Sequence, residues 1–245
     1  VGSDIETVLD NGDPDNGTIE GQLTLQESFD RTRQQALEHV TDQFENLLAI
    51  NNETLDDIKQ MEAVYEKARE DPMYQRLISM ANVHTAEQFA IDIPEDAYEQ
   101  MAEALRDDRW KSIRKQEWYR SAQQMAADKR FFHWELELPI AFYEQNGERK
   151  EDSGFDAVIG NPPWGHPGDN KEYLKNEYSG VVKRLPDTFS YFSYKSLKLC
   201  TAESNYGAIL PNVSLFQSEY TKLRDKLLNA GLHRVVDLGE GIFDD

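Results

Sequence analysis

The sequence is poor in cysteine and has no long apolar run. Its single cysteine, Cys200, excludes an internal disulfide and a multi-cysteine zinc site, and its place at the end of "SLKLC" favours a small core residue over a nucleophile. The histidines are too scattered to form a ligand set, so we expect no metal site. No apolar stretch approaches the roughly 20 residues that span a bilayer, and the N-terminus has no signal-peptide pattern. We therefore expect a cytoplasmic protein.

Basic residues are scarce as well. The 245 residues include 26 Lys and Arg against 46 Asp and Glu, for a net charge of −20. Most of the excess lies in residues 1–154, which hold 34 acidic and 16 basic side chains. Such a surface is repelled by DNA phosphates in dilute salt, but at high ionic strength the screening length shrinks to roughly 3 Å. A halophilic source and a generally solvated surface both explain this composition, and neither decides whether the protein binds nucleic acid.

Composition divides the chain into three regions. Residues 1–22 are rich in Asp, Gly and Asn, which predicts a flexible acidic segment. Residues 23–130 form a predicted helical insertion region, because their apolar side chains recur at helical spacing over 24–50, 54–71, 73–80, 94–105 and 108–128. We interpret these apolar stripes as core packing. Residues 131–245 follow a different pattern.

One predicted helix departs from the acidic composition. Residues 106–130 contain eight basic and four acidic side chains, with Trp110, Trp118 and Tyr119 among them. This combination is typical of contacts with phosphates or stacked bases. A solvated face that balances acidic neighbours explains it equally simply, and we favour that interpretation.

The last region alternates apolar runs with helical patterns. The runs at 155–160, 206–211 and 233–239 predict strands, and helices are predicted at 187–201 and 214–229. This order predicts an α/β fold with a parallel sheet. Ligands of such sheets bind beyond the carboxyl ends of the strands. The first strand, "FDAVIG", ends there in "NPPWG".

The tetrapeptide Asn161, Pro162, Pro163, Trp164 suits a planar ligand that bears an amino group. The two prolines make the loop stiff because each fixes its own φ and restricts the residue before it. The side-chain oxygen of Asn161 and the carbonyl of Pro162 are two fixed acceptors, and Trp164 offers a flat apolar face. Acceptors that hold both N–H hydrogens of a nucleobase amine draw its nitrogen toward tetrahedral geometry and make its lone pair available. A base in a duplex must be flipped out to reach such a site.

"NPPW" after "FDAVIG" resembles motif IV of the S-adenosylmethionine-dependent DNA methyltransferases that modify amino groups. Together with "FFHWELELPIAF", "DTFSYF", "GAILPNVSL", "YTKLRDKLL" and "VVDLGEGIF" it resembles the large adenine-specific methylases of restriction-modification and phage-defence systems. The resemblance covers roughly residues 130–245 and treats the helical region as a variable insertion. It implies the later strands of a Rossmann-like methyltransferase sheet, S-adenosylmethionine as cofactor and double-stranded DNA as partner.

The resemblance also assigns residues. Asn161 and Pro162 would hold the N6 amino group of a flipped-out adenine, in a catalytic motif completed by Pro163 and by Trp164, which would stack on the base. Independently of the resemblance, Gly165 and His166 are predicted on the substrate side of this turn-rich loop, and ordinary turn chemistry explains "HPGDN" equally well. The helix that follows would approach the cofactor with two residues, Asp187 and Phe192.

One expected part of the pattern is missing. We find no Phe-x-Gly-x-Gly loop for the cofactor, and Gly239-Glu240-Gly241 is a weak substitute. Because the sequence opens at Val1 and ends soon after a predicted strand, we expect a piece of a longer polypeptide. Its partners would include the remaining polypeptide or a restriction or defence subunit. The exposed sheet edge that this implies is prone to aggregation.

Two alternatives stay open. The same tetrapeptide pattern serves methylation of a protein glutamine or of a guanine amine in ribosomal RNA. A non-catalytic subunit that binds DNA or partner proteins is the other.

Overall fold

The computed structural model describes the backbone of residues 20–178 and 187–239, with side chains from residue 34 onward. The chain divides into two compact units between Glu151 and Asp152. Residues 131–151, which the sequence pattern grouped with the strands, therefore belong to the helical unit. Residues 1–19 of the predicted acidic segment, and Glu240 and Gly241, lie outside the described residues.

The first unit is helical, as predicted. Its helices are α1 (Glu20–Leu48), α2 (Leu55–Glu70), α3 (Pro72–Glu87), α4 (Ala97–Ala104), α5 (Trp110–Ile113), α6 (Glu117–Lys129) and α7 (Trp134–Glu137), followed by a 3-10 turn at Pro139–Ala141. The core lies where α1 and α6 pack against α3, and it includes Phe44, Tyr74, Leu77 and Met80. The helix predicted over 73–80 continues to Glu87, because its second half buries Val83 and Ala86 as well.

The prediction of one basic helix over 108–128 is wrong, because this segment forms two helices, α5 and α6, with a break between them. Trp110 and Tyr119 are nine residues apart and would lie on opposite faces of a continuous helix. The break at Gln116, whose ψ is 142°, lets both rings be buried, with centroids 6.2 Å apart in an edge-to-face contact. Base stacking by these two rings is therefore excluded. Two of the cations also pair with acidic neighbours, Arg109 with Asp107 and Lys111 with Asp108.

A buried polar network supports the last part of the helical unit. His133 is buried and hydrogen-bonds through Nε2 to Asn82 at 2.9 Å. The buried Glu135 carboxylate accepts from Tyr143 at 3.0 Å and pairs with Arg149 at 2.8 Å. A buried carboxylate needs such partners because its desolvation is costly.

The second unit is a small α/β structure. It contains β1 (Phe155–Gly160), α8 (Lys171–Glu177), α9 (Thr188–Leu199), β2 (Cys200–Ala208), α10 (Val213–Phe216) and α11 (Thr221–Asn229), with 3-10 turns at Gly168–Asn170 and Ser218–Tyr220. The strands pair in parallel, as predicted, with Val158 opposite Tyr206 and Gly160 opposite Ala208. The unit's core is aromatic and includes Tyr178, Phe189, Tyr191 and Leu223.

Two strand predictions need correction. The second strand begins at Cys200, six residues before the predicted start, because Phe155 of β1 pairs with Cys200 across an irregularity in register. The third predicted strand, at 233–239, is not a strand. An apolar segment becomes a strand only when its backbone groups pair with a neighbour, and within 20–178 and 187–239 the sheet contains only β1 and β2. Val235, Val236 and Leu238 are instead exposed.

Two further features bear on function, namely helices that could cross a membrane and side-chain groups that could hold a metal ion. Among the described residues, no helix has the length and apolar character needed to cross a bilayer. Within the same ranges, no group of three or more His, Cys, Asp or Glu side chains is arranged to hold a metal ion.

The start of α3 offers a test of the helical unit. Asp71 accepts from the backbone amides of Met73 at 2.8 Å and Tyr74 at 3.1 Å, and from His39 Nε2 at 3.0 Å. We expect Asp71→Ala to lower the free energy of unfolding by about 1 kcal/mol at pH 7, measured by chemical denaturation. Asp96→Ala is the matched control, since Asp96 precedes α4 without a side-chain capping bond. Equal losses in the two variants would contradict this account.

The same pair predicts a pH dependence. Burial alone would raise the pKa of the Asp71 carboxyl, but the hydrogen bonds from His39 and the two backbone amides lower it below its ordinary value. The lowered pKa means that the carboxylate stabilises the fold fully above about pH 4, its unfolded pKa, and that this contribution is lost as the pH falls through the folded pKa. The difference in unfolding free energy between the wild type and Asp71→Ala should therefore shrink below about pH 4.

Candidate active site

The candidate site begins where β1 ends. Parallel pairing brings the carboxyl ends of β1 and β2 to one edge of the sheet, where Ile209 N donates to the carbonyl of Gly160 at 3.1 Å. Asn161 and two prolines follow. The prolines have no backbone N–H and therefore cannot donate hydrogen bonds to a neighbouring strand. The loop therefore leaves the sheet at the edge where parallel sheets bind their ligands.

The two acceptors proposed from the sequence are available in this loop. Asn161 is exposed and Pro162 is half-buried. No hydrogen bond between described residues engages the Asn161 amide or the Pro162 carbonyl. Trp164 follows with 51% of its surface exposed. One short segment thus presents two oxygens and an indole face.

The other polar groups of the loop are bonded to the start of α9. Thr188 Oγ1 lies 2.7 Å from the carbonyl oxygen of Pro163 and 3.0 Å from that of Gly165. Gly165 N donates to Asp187 Oδ1 at 3.0 Å, and Thr188 N donates to the Gly165 carbonyl at 2.9 Å. Gly165 has a φ of +99°, a left-handed conformation that glycine adopts without a steric penalty. The chain on both sides of Trp164 is therefore held.

Asp187 is itself held by the surrounding structure. Its Oδ1 also caps α9 by accepting from Phe189 N at 3.4 Å, and its Oδ2 lies 3.5 Å from the Tyr220 hydroxyl. The Tyr220 ring packs on Phe189 with centroids 5.0 Å apart. Burial raises the pKa of Tyr220, and the neighbouring Asp187 carboxylate raises it further, so this phenol stays protonated and able to donate at neutral pH.

The remaining predicted residues differ in their surroundings. His166 is exposed, and its Nδ1 accepts from Gly168 N at 3.1 Å, which shapes the turn after the loop. Of the two residues expected at the cofactor, Phe192 is 52% exposed, whereas Asp187 has partners within the protein at both oxygens. The backbone N–H and carbonyl of Gly165 are likewise occupied by Asp187 and Thr188.

Sequence reasoning missed Thr188 and Tyr220. A signal for Thr188 existed, because Asp-Thr before an apolar helical pattern indicates a helix start whose side chains bond nearby backbone. Tyr220 carried no comparable signal. It lies 33 residues after Asp187 and reaches it only through packing of the 3-10 turn at Ser218–Tyr220 against α9.

This arrangement suits binding of an amino group on a flat ring. The Asn161 side chain and the Pro162 carbonyl are adjacent acceptors, and two acceptors match the two N–H hydrogens of an exocyclic amine. The exposed indole provides a stacking surface worth about 1 to 3 kcal/mol per base. The described residues of the loop include no buried cationic side chain, so the loop has no group that would favour an anionic ligand.

The sequence model of the Eco57I restriction-modification methylase family matches residues 23–243. The match extends beyond residues 130–245 to include the helical unit. No curated protein and no solved structure matches the chain. Because the family match spans most of its length, the chain belongs to the Eco57I restriction-modification methylase family.

Proposed function

We propose that this protein functions as a DNA adenine-N6 methyltransferase of a restriction-modification or phage-defence system. In this proposal, residues 161–164 bind the flipped-out base. The observation that carries the proposal is the loop after β1, in which the Asn161 amide and the Pro162 carbonyl have no hydrogen bond to any described residue and lie beside a half-exposed Trp164. Methylase family membership supports methyl transfer as the reaction. Double-stranded DNA is the partner, and the reaction takes place in the cytoplasm.

The loop residues have separate roles in this proposal. S-adenosylmethionine, when bound, would supply an electrophilic methyl group: its S–CH3 bond would break as the bond to the amine nitrogen forms, the thioether would leave, and the amine would lose one proton, without a covalent enzyme intermediate. The Asn161 side-chain oxygen and the Pro162 carbonyl accept hydrogen bonds from the two N–H groups of the amine. These bonds make the nitrogen lone pair available for reaction. Trp164 replaces the stacking that the base loses when it leaves the duplex. Phe192, on the exposed face of α9, is the candidate contact for the cofactor.

A stacking plate favours a nucleobase over a protein glutamine. A glutamine amide has the same NH2 group but no ring to cover an indole face. A guanine in ribosomal RNA does have a ring, so product analysis is needed to separate it from adenine in DNA.

The central test is methyl transfer by the full-length gene product to long duplex DNA from a strain without DNA methylation. We expect N6-methyladenine when the DNA is digested to nucleosides and analysed by mass spectrometry. Asn161→Ala should lower kcat at least about 100-fold, because it removes a preorganised hydrogen-bond partner of the reacting group. Trp164→Ala should lower kcat/KM about tenfold or more through lost stacking.

The control is Asn229→Ala, at the exposed end of α11. This variant should leave the rate within about twofold, since a substitution of an exposed residue at the end of a helix usually has a small effect. Full activity in Asn161→Ala would refute the proposed role of the loop. Methylation of a protein glutamine or of an RNA guanine, with none of adenine in DNA, would show that the substrate differs from the one proposed.

Cofactor binding provides a second test. The sequence has no Phe-x-Gly-x-Gly loop, so we expect calorimetry on the 245-residue chain to show no tight binding of S-adenosylmethionine. A micromolar dissociation constant for the 245-residue chain would show that its own residues form the cofactor site.

The acidic composition predicts a response to salt. If the protein is halophilic, screening relieves the repulsion among its excess of 20 negative charges, so unfolding free energy and DNA binding should both rise from 0.1 M to 2 M KCl. Most DNA-binding proteins lose affinity over this range. A steady loss of both quantities would favour the ordinary solvated-surface interpretation.

A further inference from the structure

We infer that Asp187 and Thr188 are positioning residues, which lock the Asn-Pro-Pro-Trp loop in the orientation needed to receive the amino group. The two residues begin α9, 23 and 24 residues after Trp164 in sequence, yet they bond to the backbone on both sides of it. The inference rests on the proposed function for its kinetic consequences. Its structural content concerns the loop alone.

The loop needs this external support because of its own composition. Proline rings fix φ, but they do not fix the angle at which a loop leaves a sheet. Pro162 and Pro163 have no N–H, so two of the loop's first three residues cannot donate hydrogen bonds to hold it. The bonds must come to its carbonyls from outside. Thr188 supplies them, through Oγ1 to Pro163 O at 2.7 Å and through its N–H to Gly165 O at 2.9 Å.

Asp187 completes the lock from the other direction. Its Oδ1 accepts from Gly165 N at 3.0 Å while the Tyr220 hydroxyl lies 3.5 Å from Oδ2. The carboxylate is thereby oriented by the same tyrosine that packs on Phe189 in the core of the unit. The loop is thus connected to the α9 core through bonds to Pro163 and Gly165, which leave the Asn161 amide and the Pro162 carbonyl without a hydrogen bond among the described residues.

The bonding pattern divides the acceptors of the loop into two sets. The carbonyls of Pro163 and Gly165 are occupied by Thr188, whereas the Asn161 amide and the Pro162 carbonyl have no partner among the described residues. Occupying the first set restricts an incoming amine to the second. A displacement of about 1 Å in such a site can lower the rate of reaction by about 100-fold.

The kinetic test uses isosteric variants of the full-length gene product on the same duplex DNA. Thr188→Val keeps the shape and removes the hydroxyl, and Thr188→Ser keeps the hydroxyl. We expect Thr188→Val to lower kcat at least about tenfold, with KM for DNA and for S-adenosylmethionine changed less than about threefold. Thr188→Ser should recover kcat to within about threefold of the wild type. Thr221→Val is the control, since Thr221 also starts a helix and donates to a backbone carbonyl, at 2.8 Å from Ser218 O.

Asp187 requires a test that separates positioning from cofactor contact. Asp187→Asn keeps an oxygen that can accept from Gly165 N, so we expect it to retain most of the kcat that Asp187→Ala loses. A role in cofactor binding predicts a different result, namely a rise in KM for S-adenosylmethionine that exceeds the fall in kcat. That result, or a kcat within twofold of the wild type in both Thr188→Val and Asp187→Ala, would overturn the inference.

Hydrogen exchange tests the lock without any enzyme activity. A peptide over residues 161–168 contains three prolines and therefore few exchanging amides, among which Gly165 N is bonded to Asp187 and Gly168 N to His166. We expect Asp187→Ala to speed exchange of one amide in this peptide at least about tenfold, and Asp187→Asn and Thr221→Val to leave it protected. If the wild type transfers no methyl group, the proposed function is refuted. The exchange measurement still decides whether Asp187 holds the loop, because it does not depend on activity. An unprotected Gly165 amide in the wild type would refute the lock itself.

Discussion

Parallel pairing between β1 and β2 is the interaction on which the candidate site depends. The two strands are far apart in sequence, and the connection between them includes α9, which ends at Leu199 and continues directly into β2 at Cys200. Because the strands run in the same direction, the intervening helix must begin near the carboxyl end of β1. The start of α9 therefore meets the loop that leaves β1. Gly154 allows the close approach at the opposite end of the strand, where a Cβ would lie 2.5 Å from the carbonyl oxygen of Leu199.

That meeting gives the loop two kinds of rigidity. Proline supplies the internal kind, by restricting the backbone angles of residues 161–163. Asp187 and Thr188 supply the external kind, by fixing the backbone around Trp164 to a helix packed on an aromatic core. A loop with the first kind alone would be stiff but free to swing as a body. Binding an amino group with two acceptors requires both, because the orientation of each acceptor matters as much as its presence.

The helical unit contributes a different kind of order. Its aromatic side chains are largely buried, and Arg109 and Lys111 lie beside acidic partners. Burial of Trp110 and Tyr119 removes two of the segment's three aromatic rings from base stacking, and Trp118 is half-buried. The favoured interpretation of this segment as a balanced, solvated face agrees with these positions. The family match covers this unit together with the sheet unit, which makes the helical region part of the family's architecture.

The sequence by itself determined most of the element types and the loop after β1, because hydrophobic period and proline stereochemistry are local properties. The alternation of strands and helices also indicated the parallel order of β1 and β2. It did not determine the break at Gln116, the early start of β2 at Cys200 or the missing third strand, since each depends on which distant surface a segment meets. Tertiary structure also decided which acceptors of the loop are occupied. Thr188 and Tyr220 reach the site only because a strand, a helix and a turn pack together, and a hydrogen bond between residues far apart in sequence has no local signature.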